Sequence, residues 1–381
     1  MSQHQPVGGR VLTLPVLIFG TLFLVALWIL AQRFAFGLGA VTNLNNGYPW
    51  GVWVVYDIVI GTAFGCGGLA LALTVYVMNR GEYHPLVRPA VLASLFGYAL
   101  GGASAFFDMG RYWNFYNIFI PSNMNLGSVM LEVGLCVFAY VIILAIEAAP
   151  PVLEKFGMKS ALAKLNRVLF VVIALGVLLP LMHQSSLGSL LIAAGDKVHP
   201  LWQANEMLPL LALVSAIAMG FSIVIFEASL SALGLKHPLD KPLLASMAPI
   251  IVGLLAVFLA VRFGELLLAG KLGYVFSSGG LSLALLVETA LFAFPLVVLL
   301  NPANRQRAKL LFVAALALLL AGAVWRMNAF LIGFQPGAGY SYFPSTQELL
   351  VTLGLVAFEV MAFIVIVKMF PIFKGHGQQA A

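Results

Sequence analysis

Long apolar stretches separated by short polar segments run through the chain from residue 13 to residue 370. A stretch of roughly 20 apolar residues is long enough to cross the hydrocarbon core of a bilayer as an α-helix. Such unbroken stretches favour helices over a β-barrel, whose strands show short alternating patterns. The pattern predicts ten transmembrane helices, near residues 13–35, 51–78, 86–107, 126–147, 167–184, 207–230, 243–267, 281–300, 309–332 and 348–370.

The composition supports a chain embedded in lipid. Hydrophobic residues make up 62% of the 381 residues and charged residues only 9%, and the mean hydropathy is +1.02. A soluble core could not bury this much apolar material. Because the predicted loops are too short to hold a soluble domain, we expect a single polytopic domain over residues 1–381, of the all-α integral membrane class.

Basic residues are distributed unevenly between the two ends of the predicted helices. Fourteen Lys and Arg residues, Lys236 among them, fall on the side of the chain termini, and six fall on the other side. Cytoplasmic loops carry an excess of Lys and Arg, so we expect both termini in the cytoplasm. The net charge of +6 does not indicate nucleic-acid binding, because the charges lie in short segments between apolar stretches.

The predicted outer loops are rich in aromatic and amide side chains. Tyr112, Trp113, Tyr116, Tyr340 and Tyr342 are examples. Each residue alone is typical of an interfacial aromatic belt. Their concentration on one face suggests a docking surface for a periplasmic partner.

Ionisable residues within a membrane helix are costly and call for a partner or a function. Asp57 and Glu132 are predicted to lie about 10 Å below the outer interface, at 1.5 Å per residue. Other polar residues end the third and fifth predicted helices: Asp108, Arg111, His183 and Gln184. We therefore expect these six residues to meet in the outer half of one helix bundle.

The fourth predicted helix carries a polar stripe. Glu132, Cys136, Tyr140 and Glu147 fall on one face when each residue advances the helix by about 100°. Such a stripe could carry protons through side chains and trapped water to the cytoplasmic end. An equally weighted alternative is that Cys136 and Tyr140 only pack and that Glu147 only lies at the interface.

Charged residues in the second half of the chain are interpreted mainly as structural. They are Glu227, Arg262, Glu265, Glu288, Arg326 and Glu359. Arg262 and Glu265 are three residues apart on one helix and are predicted to pair. In the second helix Gly61, Gly65 and Gly68 form a small-residue seam that predicts close helix packing.

Histidine placement bears on the cofactor. A b-type haem between membrane helices usually needs two axial side chains, commonly His. Only His183 is predicted at a helix end facing the bundle, so we expect no haem. Cys66 and Cys136 offer no iron–sulfur ligation, and the sequence lacks a metal-ligand cluster or a nucleotide-binding motif, so no metal is expected.

Four motifs resemble one family of membrane proteins. They are YPWGVW at 48–53, NRGEYHPLVRP at 79–89, DMGRYWN at 108–114 and MHQSSLGSL at 182–190. Together they are similar to the membrane subunit of hydrogenase-2-type uptake NiFe hydrogenases, within the wider NrfD/polysulfide-reductase membrane-subunit family. The likeness extends from about residue 15 to residue 371 and is strongest in the first five helices.

The resemblance implies an oxidoreductase complex in a bacterial cytoplasmic (inner) membrane. Its partners would be a periplasmic iron–sulfur protein and the small and large hydrogenase subunits, and no hydrogenase chemistry would occur in this chain itself. Electrons from hydrogen would pass to menaquinone or ubiquinone, the substrate held by this subunit. The resemblance also implies two four-helix bundles, about 51–190 and 207–332, with helices 13–35 and 348–370 additional.

The six outer residues fall where the family holds its quinone. The expected site has quinone stacking near Tyr112 or Trp113 and bonded by His183, Arg111 or Gln184, with Asp108 nearby. Glu132 is the first candidate for proton transfer and Asp57 the second, and Tyr140 and Glu147 would form the path. Two alternatives stay open: an ion-coupled secondary transporter, and a passive anchor with quinone chemistry performed elsewhere.

Overall fold

The computed structural model of the protein describes residues 4–235 and 237–375, so that Lys236 lies outside it. Within the described residues, ten helices are long and apolar enough to cross a membrane, which confirms the predicted fold class. They are α1 (Leu14–Phe36), α2 (Trp53–Val77), α3 (Gly81–Asp108), α4 (Val129–Lys155), α5 (Lys159–Lys197), α6 (Leu208–Leu235), α7 (Lys241–Leu268), α8 (Gly280–Leu300), α9 (Ala308–Ile332) and α10 (Thr346–Met369).

Local sequence explains where two of these helices begin. Ser345 precedes α10 and forms a capping box: its hydroxyl accepts a hydrogen bond from Glu348 N at 3.1 Å, and the Glu348 carboxylate accepts one from Ser345 N at 2.8 Å. Ser128 caps α4 more weakly by accepting from Leu131 N at 3.4 Å. Both caps satisfy backbone donors that would otherwise be unpaired.

The predicted end of the fifth helix, at residue 184, is wrong. Regular α-helix continues to Ala194. The serine hydroxyls bond back to the preceding turn, as Ser186 Oγ does to Met182 O at 2.8 Å, so they need no water. His183 consequently lies about 16 Å below the end of the regular helix, in the middle of the membrane rather than at its edge.

Helix α2 is the most enclosed of the ten and is irregular. It contains π-helical segments at Trp53–Ile60 and Leu73–Val77. Between them Gly65 and Gly68 lie close to α3, where a Cβ at Gly65 would be 2.9 Å from Tyr98 Cδ2. The small-residue seam therefore packs helices closely, as its pattern predicts.

Helix packing follows chain order in each half of the molecule. Helices α2, α3, α4 and α5 contact their chain neighbours, and α2 also contacts α5. Helices α6, α7, α8 and α9 do the same, with α6 contacting α9, while α1 packs along α10. The division into two bundles and two additional helices is our interpretation of this packing.

The two chain ends meet on the side that carries most of the basic residues. Strand β1 (His4–Gln5) pairs antiparallel with strand β2 (Phe373–Lys374). Nearby, Val7 N donates to Val367 O at 3.0 Å. An even number of spanning helices requires the ends to share one face, in agreement with the predicted topology.

Candidate functional site

Asp57 links three helices near the outer end of α2. Its Oδ2 accepts hydrogen bonds from Ser104 Oγ of α3 at 3.0 Å and from Thr352 Oγ1 of α10 at 3.4 Å. All three side chains are buried. Among the described residues the carboxyl group is held by these neutral donors and by no basic side chain, an arrangement suited to a group that exchanges a proton.

Arg33 of α1 bonds to the end of α3 and to the loop that follows it. This residue was not identified as a candidate from the sequence. Arg33 Nε donates to Phe107 O at 2.7 Å, and Nη2 donates to Met109 O. Its guanidinium lies 4.9 Å from the centre of the Tyr112 ring. Asp108 is close enough to interact electrostatically with Arg33, and its buried Oδ1 has no hydrogen-bond partner among the described residues.

His183 and Gln184 of α5 belong to a separate buried cluster. His183 Nε2 and Gln184 Nε2 each lie 3.1 Å from Thr62 Oγ1 of α2. Gln184 Nε2 also donates to the Tyr98 hydroxyl of α3 at 3.3 Å. All four side chains are fully buried, so this polar cluster is isolated from solvent in the membrane interior.

Arg326 extends the cluster into the second half of the molecule. Its Nη2 donates to Gln184 Oε1 at 3.3 Å and to Ala212 O at 3.1 Å, and its Nη1 donates to Ser215 Oγ at 3.1 Å. The residue is 1% exposed. Within the described residues its charge is met by neutral acceptors and by no carboxylate, which leaves positive charge beside Gln184.

Tyr140 and Glu147, the two α4 residues of the predicted proton path, lie near the buried cluster. Tyr140 packs its ring edge-on against the Tyr98 ring, with centroids 4.5 Å apart. Glu147 packs against the backbone of α5 at Gly176 and lies in electrostatic range of Tyr140. Tyr98 therefore contacts both Tyr140 of α4 and Gln184 of α5.

The prediction that six polar residues meet in the outer half of one helix bundle is wrong. Helix α4 begins at Val129, so Glu132 lies in its first turn, and the side chain is exposed rather than buried. Arg111 is also exposed, and Trp113 is 58% exposed. These outer residues are exposed, whereas His183 is buried in the interior of α5, eleven residues before the regular helix ends at Ala194.

The predicted pairing of Arg262 with Glu265 is also wrong. Arg262 Nε lies 3.8 Å from Glu288 Oε1, and Lys271 Nζ lies 3.3 Å from Glu265 Oε1. Glu288 Oε2 further accepts from Trp202 Nε1 at 2.8 Å. These contacts connect α7, α8 and the loop before α6.

Sequence reasoning missed Thr62, Tyr98 and Ser104. A single Ser or Thr in an apolar helix usually bonds to the backbone of the preceding turn, and a single Tyr is usually a packing residue. The glycine seam could have pointed to Tyr98, because the Tyr98 ring packs against Gly65, where no Cβ is in the way.

Comparison with family models matches residues 40–335 to the family described as "Polysulphide reductase, NrfD". The "Probable Ni/Fe-hydrogenase 2 b-type cytochrome subunit" of Escherichia coli (strain K12) is 50% identical over 370 residues, covering 97% of this chain and 94% of the relative. "Menaquinone reductase, integral membrane subunit" of Nitratidesulfovibrio vulgaris is 24% identical over 377 residues, covering 90% and 87%. These similarities confirm the resemblance inferred from the four motifs.

The name of the Escherichia coli relative contradicts our expectation that no haem is bound. A b-type cytochrome contains haem, so that expectation, which rested only on counting histidines, is wrong. Among the described histidines, His183 alone lies in the interior of a spanning helix, and no second imidazole faces it. The described residues therefore do not form the usual pair of axial ligands.

Proposed function

Because the chain belongs to the polysulphide reductase NrfD family, we propose that it is the quinone-linked membrane subunit of a NiFe hydrogenase complex. The observation that carries this proposal is the full-length similarity to the hydrogenase 2 subunit of Escherichia coli. The menaquinone reductase relative supports the quinone as the electron acceptor. The chain contributes quinone chemistry, and hydrogen oxidation belongs to its partners.

The outer surface is the side that receives the partners. Trp113, Tyr116 and Phe343 are 58%, 51% and 76% exposed there. Exposed aromatic side chains are enriched in protein interfaces, and they match the partner face expected from the loops. An iron–sulfur protein docked on this surface would deliver electrons to the outer half of the membrane, with the small and large hydrogenase subunits beyond it.

The buried cluster supplies the groups that bind the quinone head. Quinone carbonyl oxygens accept hydrogen bonds, and His183 and Gln184 are the buried donors best placed to provide them. His183 Nδ1 is buried and has no hydrogen-bond partner among the described residues. A buried polar atom without a partner is costly, and a quinone carbonyl bonded to it would remove that cost.

The chemistry requires two electrons and two protons for each quinone. Hydrogen oxidised by the partner supplies the electrons, and an acid within the membrane supplies protons to the carbonyl oxygens as they are reduced. Asp57 is held by neutral donors, and Glu132 lies at the outer end of α4. We assign proton transfer to these two carboxyl groups and quinone binding to the residues near Tyr98.

The test is hydrogen-dependent menaquinone reduction by the purified complex, with hydrogen oxidation by an artificial periplasmic acceptor as the reference. His183→Phe removes both ring nitrogens, and we expect quinone reduction to fall at least tenfold while the reference activity is unchanged. The exposed His84 lies at the other side of the membrane, so His84→Gln is the matched control. Unchanged quinone reduction in His183→Phe would remove the cluster from the site. A chain that purifies without an iron–sulfur partner would contradict the proposed function.

A further inference from the structure

Helix α1 carries a single charged residue, Arg33, in its last turn. The helix lies before residue 40, where the match to the family model begins, and it packs along α10. Basic side chains near the end of a membrane helix usually extend to the interface, where water surrounds the charge. Arg33 is three residues from the end of α1 and yet is only 1% exposed. Its guanidinium is therefore committed to contacts inside the protein.

Arg33 caps the outer end of α3. Its Nε donates to Phe107 O at 2.7 Å, and its Nη2 donates to Met109 O. Helix α3 ends between these two residues, at Asp108. The last carbonyls of a helix have no partner within the helix, and a cation beside them is favourable. Among the described residues no carboxylate lies within ion-pair distance of Arg33. The side chain thus holds the backbone at the point where the chain leaves α3.

The same guanidinium anchors the start of the docking segment, the short outer 3₁₀-helix Tyr112–Phe119. The guanidinium carbon of Arg33 lies 4.9 Å from the centre of the Tyr112 ring and 4.9 Å from the centre of the Phe34 ring. The Tyr112 ring also packs edge-on against Phe34 and Phe106, with centroids 4.9 and 5.6 Å apart. A desolvated cation over an aromatic face is attracted to it. Tyr112 is therefore held by a cation and two aromatic rings.

The rest of the docking segment faces outward. None of its residues is buried, and Trp113, Phe115 and Tyr116 are 58%, 44% and 51% exposed. At its far end Phe119 packs on Phe138 of α4, with centroids 4.8 Å apart. A short exposed 3₁₀-helix has poor internal hydrogen bonds and few packing contacts, so its order depends on such anchors. Exposed aromatic side chains of this kind are typical of residues that dominate the energy of protein interfaces.

We propose that Arg33 is a positioning residue for partner binding, which holds the docking segment in the conformation to which the iron–sulfur protein binds. This inference rests on the proposed function, which assigns that partner to the outer face. Arg33 is buried and does not reach the partner, so it acts through the segment that it anchors. The partner surface that fits is apolar, with recesses for Trp113, Phe115 and Tyr116. A segment that is ordered beforehand loses little further freedom on binding, so the anchor strengthens the complex.

A role of α1 in membrane anchoring alone would not need this contact. The packing of α1 on α10 is apolar: Phe23 lies against Phe358 with ring centroids 4.5 Å apart, and Ala26 lies directly against Gly354. Arg33 adds no hydrogen bond to that packing, because its bonds go to α3. Removing the guanidinium should therefore release the docking segment while α1 stays packed on α10.

The experiment uses the whole complex in lipid nanodiscs, purified through a tag on this chain. The dissociation constant of the iron–sulfur partner is measured by mass photometry over a dilution series. We expect Arg33→Gln to raise this constant about tenfold, because Gln places no charge over Tyr112 and cannot make both bonds to α3. In the fraction that stays assembled, the KM for menaquinone should be unchanged, because Arg33 makes no bond to His183 or Gln184.

Three further variants make the result specific. Arg10→Gln is the matched control, because Arg10 is an exposed arginine before the opposite end of α1. Arg33→Lys keeps the charge without the forked donors, so its effect should be intermediate. Trp113→Ala should weaken binding as well. Because Arg33 acts through the segment that carries Trp113, the double variant Arg33→Gln, Trp113→Ala should weaken binding by less than the product of the two single effects.

An unchanged dissociation constant in Arg33→Gln would overturn the inference, as would a double variant whose effect equals the product of the single effects. If Arg33→Gln does not accumulate in the membrane, Arg33→Lys decides, and normal partner binding in that variant would overturn the inference. A raised KM for menaquinone in the assembled Arg33→Gln complex would also overturn it, by showing a general distortion of the helix bundle. All three results leave the proposed function intact. A wild-type chain that purifies without an iron–sulfur partner would instead contradict the proposed function, and this inference with it.

Discussion

Arg326 Nη2 of α9 donates a hydrogen bond of 3.3 Å to Gln184 Oε1 of α5. This bond connects the two halves of the molecule at the centre of the membrane. It also fixes the orientation of the Gln184 amide, because Oε1 accepts from Arg326 while Nε2 donates to Thr62 and Tyr98. Charge in the second half of the chain thus orients a group in the first half.

We predict that Arg326→Lys raises the KM for quinone by about tenfold. Lysine keeps the charge, but it cannot reproduce the several directed bonds of the guanidinium. Loss of one hydrogen bond from a charged donor is worth about 1.5–3 kcal/mol, and 1.4 kcal/mol corresponds to about a factor of ten. Steady-state kinetics of hydrogen-dependent quinone reduction measures this change. Arg80→Lys is the control, because Arg80 is 61% exposed at its side chain. An unchanged KM in an assembled complex would show that Gln184 does not need Arg326.

Glu132→Gln is predicted to leave hydrogen oxidation with an artificial acceptor intact and to lower quinone turnover by tenfold or more. Gln keeps the shape and hydrogen-bonding capacity of Glu but cannot exchange a proton near neutral pH. Loss of an acid–base group typically costs about 10² to 10⁴ in rate. Turnover is measured with the purified complex. Glu206, another exposed carboxylate near the outer face, supplies the control variant Glu206→Gln. Near-normal quinone reduction in Glu132→Gln would assign Glu132 a structural role.

Gly65→Ala is predicted to destabilise the subunit by about 1–3 kcal/mol, the usual cost of overpacking a well-filled site. The added Cβ would lie 2.9 Å from Tyr98 Cδ2 and 3.3 Å from Thr62 O. Thermal unfolding of the complex in detergent measures the effect. Gly134→Ala is the matched control, because a Cβ at that helical glycine meets no atom within 4 Å. Equal melting temperatures for the two variants would show that α2 and α3 can separate at no cost.

Cysteine labelling tests the orientation in the membrane. Single cysteines near Lys159 and Arg307 should react with an impermeant reagent only from the cytoplasmic side. Those near Asn117 and Lys197 should react only from the periplasmic side, as the distribution of basic residues requires. Reversed accessibility at either pair would refute the topology.

The helices could be predicted because the bilayer imposes their length, and a length of about 20 apolar residues is visible in the sequence. The rotation of each helix about its own axis could not be predicted, because it is set by packing against neighbouring helices. Glu132 illustrates this: the four polar residues of α4 share one face of an isolated helix, yet Glu132 is exposed while Tyr140 is buried.

The buried cluster was predicted only in part. His183 and Gln184 were recognisable as polar groups close to apolar sequence, but Arg326 lies 142 residues from Gln184. No local pattern indicates a bond over that separation. Ser104 and Thr352 were hidden for the same reason, because their role depends on Asp57 lying between them.

The pairing of His4–Gln5 with Phe373–Lys374 makes the polypeptide nearly a closed ring. A short linker could join the paired ends and leave the cyclic order of the helices unchanged. New ends opened between residues 155 and 159, in the loop joining α4 to α5, would remain in the cytoplasm. Such a circular permutant would keep its new ends on the same face as the joined strands, because Lys155 Nζ lies 4.2 Å from the centre of the Phe370 ring.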